Sequence, residues 1–188
     1  MIEVYFTQKN SNYNLSNKFD CYDKERNSLS TKSKLPAIYH PPCRTWGRLR
    51  GLSNNEPGEH LLAVWSILRI WRYGGVLEHP AGSKLWDLMK LPLPGSGYDK
   101  FGGFSISINQ SWFGFKAEKN TWLYIKGCKI NEIPSIELSF DAITHVVTTS
   151  KKGTGKKELS KGARSKTPVK LIKWLSEVIE VINAKNML

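Results

Sequence analysis

Two short segments hold the residue types that could do chemistry: His40-Pro41-Pro42-Cys43 and Glu78-His79-Pro80. In each, proline fixes φ beside an ionisable side chain and so stiffens the backbone that presents it. A carboxylate, two imidazoles and a thiol could transfer protons or attack an electrophile, and a rigidly held carboxylate could read the hydrogen-bonding edge of a base. Asp20 and Asp23 are further candidate catalytic carboxylates beside Glu78 and Cys43, although Asp also suits turns. As a nucleophile Cys43 would need to be a thiolate, and the neighbouring Arg44 is expected to lower its pKa. Free cysteines are also common as inert core, and a glutamate in this position could equally cap a following helix over residues 81–89.

The elements that must position these groups are legible in outline. Ile2 to Phe6 alternates and is β-rich, and residues 19–23 form a second short strand. Pro36-Ala37-Ile38-Tyr39 is an apolar run that His40-Pro41-Pro42 must end, because proline lacks the N–H a central strand needs. Residues 59–73 are apolar almost all round, start after Asn55-Glu56-Pro57 and stop at Gly74-Gly75, which predicts a buried helix. Val76-Leu77 is then a strand that Glu78-His79-Pro80 is expected to end in a second proline-locked loop. A strand, helix, strand succession of this length predicts a parallel pair, with both chemical segments on the sheet's carboxyl edge, where ligands bind in open α/β sheets. Strands are also expected over 104–108 and 121–125, with a Pro/Gly-rich loop over 91–103 before them. Thr167 and Pro168 introduce an amphipathic helix over 168–183. The expected fold is a single α/β domain of three layers over residues 1–188, with a small, mostly parallel sheet. Trp65, Trp71 and Trp122 fall in apolar runs and read as core, whereas Trp46 and Trp112 lie in loops where they could stack on a base.

Charge points to the partner. The chain has 28 Lys and Arg against 16 Asp and Glu, a net +12, with a pI near 9.6. Residues 151–173 carry nine Lys and Arg and one acidic residue, Glu158. An exposed, flexible basic loop over 151–167 suits a phosphate clamp, so DNA is the expected partner. The expected backbone contacts are Arg44, Arg48, Arg50, Lys119, Lys151, Lys152, Lys156, Lys157, Arg164 and Lys166. Three cysteines without CxxC spacing argue against a disulfide framework or a metal site. No apolar run reaches the length of a membrane span, and Met1 to Phe6 lacks the pattern of a secretory signal. A cytoplasmic protein with no membrane contact and no obligate protein partner is therefore expected.

The Pro-Pro-Cys of residues 41–43 and the segment starting at Glu78 resemble two elements of the C5-cytosine DNA methyltransferases, the PPC loop and the ENV/ENP glutamate. In that family the cysteine attacks C6 of a flipped cytosine, and the glutamate hydrogen-bonds N3 and the exocyclic amine. The resemblance implies those roles for Cys43 and Glu78. The order HPPC, then ExP after a helix, then FGxxxxKxTWLYI from Phe113 to Ile125, is similar to small phage and prophage proteins related to that family. It covers roughly residues 36–126, with a weaker echo at Arg164-Ser165-Lys166-Thr167-Pro168. The chain departs from the family after its first strand. Where a glycine-rich turn would approach S-adenosylmethionine, it reads Thr7-Gln8-Lys9-Asn10-Ser11-Asn12-Tyr13. A large target-recognition domain is also missing. No cofactor is therefore expected.

A cytosine-reading pocket without a methyl donor leaves cleavage of the glycosidic bond as the simplest chemistry on a flipped base. The leading expectation is a DNA glycosylase for a modified cytosine, such as phage DNA carries. Its base pocket would comprise His40, Pro41, Pro42, Cys43, Trp46, Glu78, His79 and Trp112. The plan is loosely similar to uracil-DNA glycosylases, although their water-activating motif is absent. The alternatives are C5 methylation with Cys43 as nucleophile and a non-catalytic DNA-binding protein.

Overall fold

The computed structural model describes residues 1–47, 50–52, 54, 56–147 and 155–186. Arg48, Lys151 and Lys152, three of the expected backbone contacts, lie outside them. The fold is α/β with a six-stranded sheet ordered β2-β1-β3-β4-β6-β5. Strands β1 (Ile2–Tyr5), β2 (Phe19–Tyr22), β3 (Ala37–Tyr39) and β4 (Gly75–Pro80) are parallel. Strand β6 (Asn120–Lys126) runs antiparallel between β4 and β5 (Phe104–Asn109).

The sheet is covered on both faces, which is why β1 and β3 are buried along their whole length. Side chains alternate between two cores. Val4, Ile38, Val76 and Ile125 pack with Leu171, Leu175, Val178 and Ile182 of α4 (Val169–Asn186). Tyr5, Tyr39, Leu77 and Tyr124 pack with Ala63, Ile67 and Ile70 of α1 (Glu59–Tyr73) and with Leu85 and Trp86 of α2 (Leu85–Met89). Gly74 and Gly75 join α1 to β4 with φ of 82° and 128°, and a side chain at Gly75 would strike the Ala37 carbonyl. Only glycine lets β4 enter beside β3 there.

The parallel β3–α1–β4 unit has the expected order, with Ile38 opposite Val76 and Tyr39 opposite Leu77. Four details differ from the sequence reading. Glu78, His79 and Pro80 do not end the strand: they are its second half, paired to Leu123, Trp122 and Thr121 of β6. The Ala81 N–H donates to Asn120 O on the β6 side, so Pro80, one residue earlier, turns its missing donor toward the side where β3 has already stopped. Helix α1 is buried along one face only, with Leu61 and Leu68 about half exposed. In its described part, the expected basic loop contains β8 (Lys157–Glu158), paired with β7 (His145–Val146), and a short helix α3 (Lys161–Ser165). Finally, α4 runs on to Asn186.

Strand β1 lies between β2 and β3, so the chain leaves it first to one side and then to the other. That reversal is a topological switch point, and the carboxyl ends of β1 and β3 open a crevice there. Among the described residues no helix is long and apolar enough to cross a membrane.

Candidate functional site

A cleft of about 1940 Å³ opens at this switch point. Its floor is made by residues just past the carboxyl end of β3 and in the second half of β4. His40 continues the alternation of Ile38, and Glu78 that of Val76, so both side chains turn to the α4 face. They meet there. His40 Nδ1 lies 3.0 Å from Glu78 Oε2, and both side chains are only 12% exposed. Gln110 Nε2 donates to Glu78 Oε1 at 3.0 Å and to Thr121 Oγ1 at 3.1 Å. His40 Nε2 lies 2.9 Å from the Tyr13 hydroxyl. The result is a buried chain, Tyr13–His40–Glu78–Gln110–Thr121, crossing from the turn after β1 to β6.

Burial alone would push the Glu78 carboxyl up. The Lys119 ammonium, the hydrogen bond from His40 and the charges of His40 and His79 outweigh it and hold the group down at about 2. Glu78 is therefore ionised and can only accept hydrogen bonds. Facing that acceptor, His40 donates from Nδ1, and its Nε2 meets the Tyr13 phenol. Burial and the negative field of Glu78 push the Tyr13 hydroxyl well above its usual range, so it stays a neutral phenol. Two of the roughly four lone-pair sites on Glu78 are taken. The others are available to a ligand.

The remaining candidates separate into three groups. Pro41, Pro42, Cys43, Arg44, His79 and Lys119 line the cleft with His40 and Glu78. Lys156, Arg164 and Lys166 line its rim, and so does Asp23. Others are elsewhere. Trp46 is 8% exposed and packed in the α1-side core, and Trp112 is 40% exposed but does not line the cleft. Neither ring is in position to stack on a base in this cleft. Asp20 is paired with Arg26 outside it. Arg50 and Lys157 are exposed and also lie outside it.

Three expected roles change. Arg44 is bound to Glu59, at 2.6 Å and 3.0 Å, and does not activate Cys43. Burial, then Glu78, push the Cys43 thiol up, with Lys119 opposing them. A thiol so placed is not the low-pKa nucleophile that the sequence suggested. His79, one residue along the strand from Glu78, turns to the other face, where Nδ1 lies 2.8 Å from Ser83 Oγ and the ring lies over Trp86. Burial lowers its pKa to about 4 against the opposing effects of Glu78 and the Pro42 carbonyl. It is a neutral structural residue rather than a proton donor to the cleft.

Tyr13, Gln110, Thr121 and Lys161 were missed from the sequence. Tyr13 had one visible signal: it is the lone aromatic in the polar stretch of residues 7–18.

The methyltransferase resemblance implies an S-adenosylmethionine site after β1, and the residues there do not fit it. The Phe6 N–H donates to Ser28 Oγ, that of Thr7 to Tyr22 O and that of Ser11 to Gln8 O. Those amides are spent inside the protein, and only a single 3₁₀ turn, Asn12–Leu15, follows β1. Among the described residues no cluster of His, Cys, Asp and Glu could hold a metal ion. No protein-family model and no curated protein sequence matches this chain.

Proposed function

We infer that the cleft receives a cytosine-type base turned out of DNA, and that the chain cleaves the glycosidic bond of that base when it is modified. The observation that carries this reading is the ionised, nearly buried Glu78 carboxylate, fixed by His40 and Gln110 on the cleft floor at the switch point. An obligate acceptor selects a base edge that donates. At the 4-position the exocyclic amine of cytosine does so, whereas thymine and uracil carry the acceptor O4 there and donate only from the neighbouring N3–H. The resemblance of residues 40–43 and 78–80 to the base-contacting segments of C5-cytosine methyltransferases supports the same assignment. The basic rim supplies what the DNA backbone needs.

In the proposed reaction the C1′–N1 bond breaks with its electron pair leaving on the base. Water adds to C1′, and the proton that water loses balances the one taken up by the departing base. Asp23 also lines the cleft, and its Oδ1 is oriented by the Glu25 and Arg26 amides, which suits it to the developing positive charge on the sugar. Lys119, whose charge acts on both Glu78 and Cys43, is the cation available to the leaving base. Methyl transfer from Cys43 has less support, because the thiol is raised and the turn after β1 does not fit the methyl donor.

The test is incubation of the purified protein with cytosine-modified and plain DNA, scored by mass spectrometry of released base and by alkali-labile strand breaks. Base release from a modified substrate, lost in Glu78→Gln, is the expected result. No release from any modified DNA overturns the reaction, and micromolar binding of S-adenosylmethionine would shift the assignment to methylation. If Glu78→Gln and Cys43→Ala both leave DNA affinity unchanged and no reaction is found, the chain is a non-catalytic DNA-binding protein.

A further inference from the structure

The cleft is much larger than one base requires, and its two flanks differ in chemistry. On the α4 side its rim carries Lys161, Arg164 and Lys166, on and just after α3. Helix α3 is tied to the turn after β1 by Ser165 Oγ, which donates to Gln8 Oε1 at 3.0 Å, and Thr167 O accepts from Asn12 Nδ2. On the α1 side the lining includes four apolar or aromatic side chains, Phe6, Leu29, Leu61 and Trp65. Leu29 is 49% exposed and Leu61 55% exposed, both toward solvent in the cleft. Two acidic groups on that side are ion-paired, Glu56 with Lys24 and Glu59 with Arg44, whereas among the described residues Asp23 accepts only backbone amides.

Phe6 shows that this wall is built. Continuing the alternation of β1 would turn its ring to the α4 face, after Val4 on that face and Tyr5 on the other. Instead Phe6 has φ of 64°, a left-handed conformation that a bulky residue adopts at a cost. The ring lies on the α1 side, edge-on to Trp65 at 5.8 Å. A basic flank facing an aromatic and apolar flank is the anatomy of a single-strand groove, where cations follow the phosphates and rings stack on successive bases. Duplex DNA has no exposed base faces to offer such a wall.

We propose that the cleft binds single-stranded DNA, with the phosphates along Lys161, Arg164 and Lys166 and a neighbouring base stacked against Phe6 and Leu61. This rests on the reading of the cleft as a DNA-base site and names the form in which the base arrives.

The test is fluorescence anisotropy with a labelled 12-nucleotide cytosine-containing strand, the same strand in a blunt duplex, and a thymine-only strand, each over a salt series. The single strand binds at least about ten-fold more tightly than the duplex. Phe6→Gly keeps the positive φ while removing the ring, and weakens single-strand binding at least about five-fold. Leu61→Ser, at an exposed position, weakens it in the same direction without disturbing the core. Lys161→Ala with Lys166→Ala lowers the slope of log K against log salt by about 1.4. Equal or tighter duplex binding, or unchanged affinity in both Phe6→Gly and Leu61→Ser, overturns the proposal. Glu78→Gln isolates the base reading: if it leaves the cytosine-over-thymine preference unchanged, that reading fails while the groove stands. No binding to any strand overturns both.

Discussion

The floor and the rim of the cleft use opposite electrostatics. On the floor, Glu78, His40, Tyr13, Gln110 and Thr121 are withdrawn from water and joined by hydrogen bonds between named atoms, while Gln110 Oε1 is buried without a partner among the described residues. On the rim, Lys161 and Lys166 are exposed, and no carboxylate partners them among the described residues. Buried groups interact strongly and answer to single atoms, whereas exposed charges are screened by salt and act in sum. A floor of this kind suits recognition of one base, and a rim of this kind suits a backbone of any sequence.

The difference should appear in stability before any activity is measured. His40→Ala leaves an ionised, nearly buried carboxylate without its Nδ1 donor and should cost about 3 kcal/mol in urea unfolding. A loss under 1 kcal/mol would mean that the Glu78–His40 pair is solvated and that the floor behaves like the rim. Gln110→Leu strips donors from both Glu78 and Thr121 and should cost about 2 kcal/mol by the same measurement.

Acid should act on the floor in two stages. His79 stays neutral in the fold down to about 4, while the unfolded chain takes up that proton near pH 6.5, so stability falls as pH drops between those values. Glu78 stays ionised to about 2, while its unfolded counterpart protonates near pH 4.5, so a second loss follows between about 4.5 and 2. Unfolding curves at intervals from pH 8 to pH 2 resolve the two stages, and His79→Gln should abolish the upper one. At the small end, Lys161→Ala with Lys166→Ala should move stability by less than about 0.5 kcal/mol. A large loss there would make α3 a structural strut rather than a rim.

Much of the frame was readable without coordinates. The Gly74-Gly75 stop, the Pro41-Pro42 strand end and the apolar spacing of α4 are local signals, and each corresponds to an element in the structure. Glu78-His79-Pro80 was misplaced for a physical reason. Proline forbids a ladder hydrogen bond only on the side its nitrogen faces, and nothing local shows that β3 has already ended there while β6 continues on the other edge. Trp46 looked available because its loop is polar, yet it closes over the α1-side core.

By itself the sequence determined the β3–α1–β4 unit, and with it the adjacency of His40 and Glu78, because parallel neighbours joined by one helix bring their carboxyl ends together. Tertiary structure alone decided that Tyr13 and Gln110 complete that pair, that Cys43 is a raised thiol rather than a thiolate, and that the cleft has one basic and one aromatic flank. Those outcomes depend on strand order, on which face each side chain takes, and on how much water remains. All three are set by pairings between residues far apart in the chain, which no local pattern encodes.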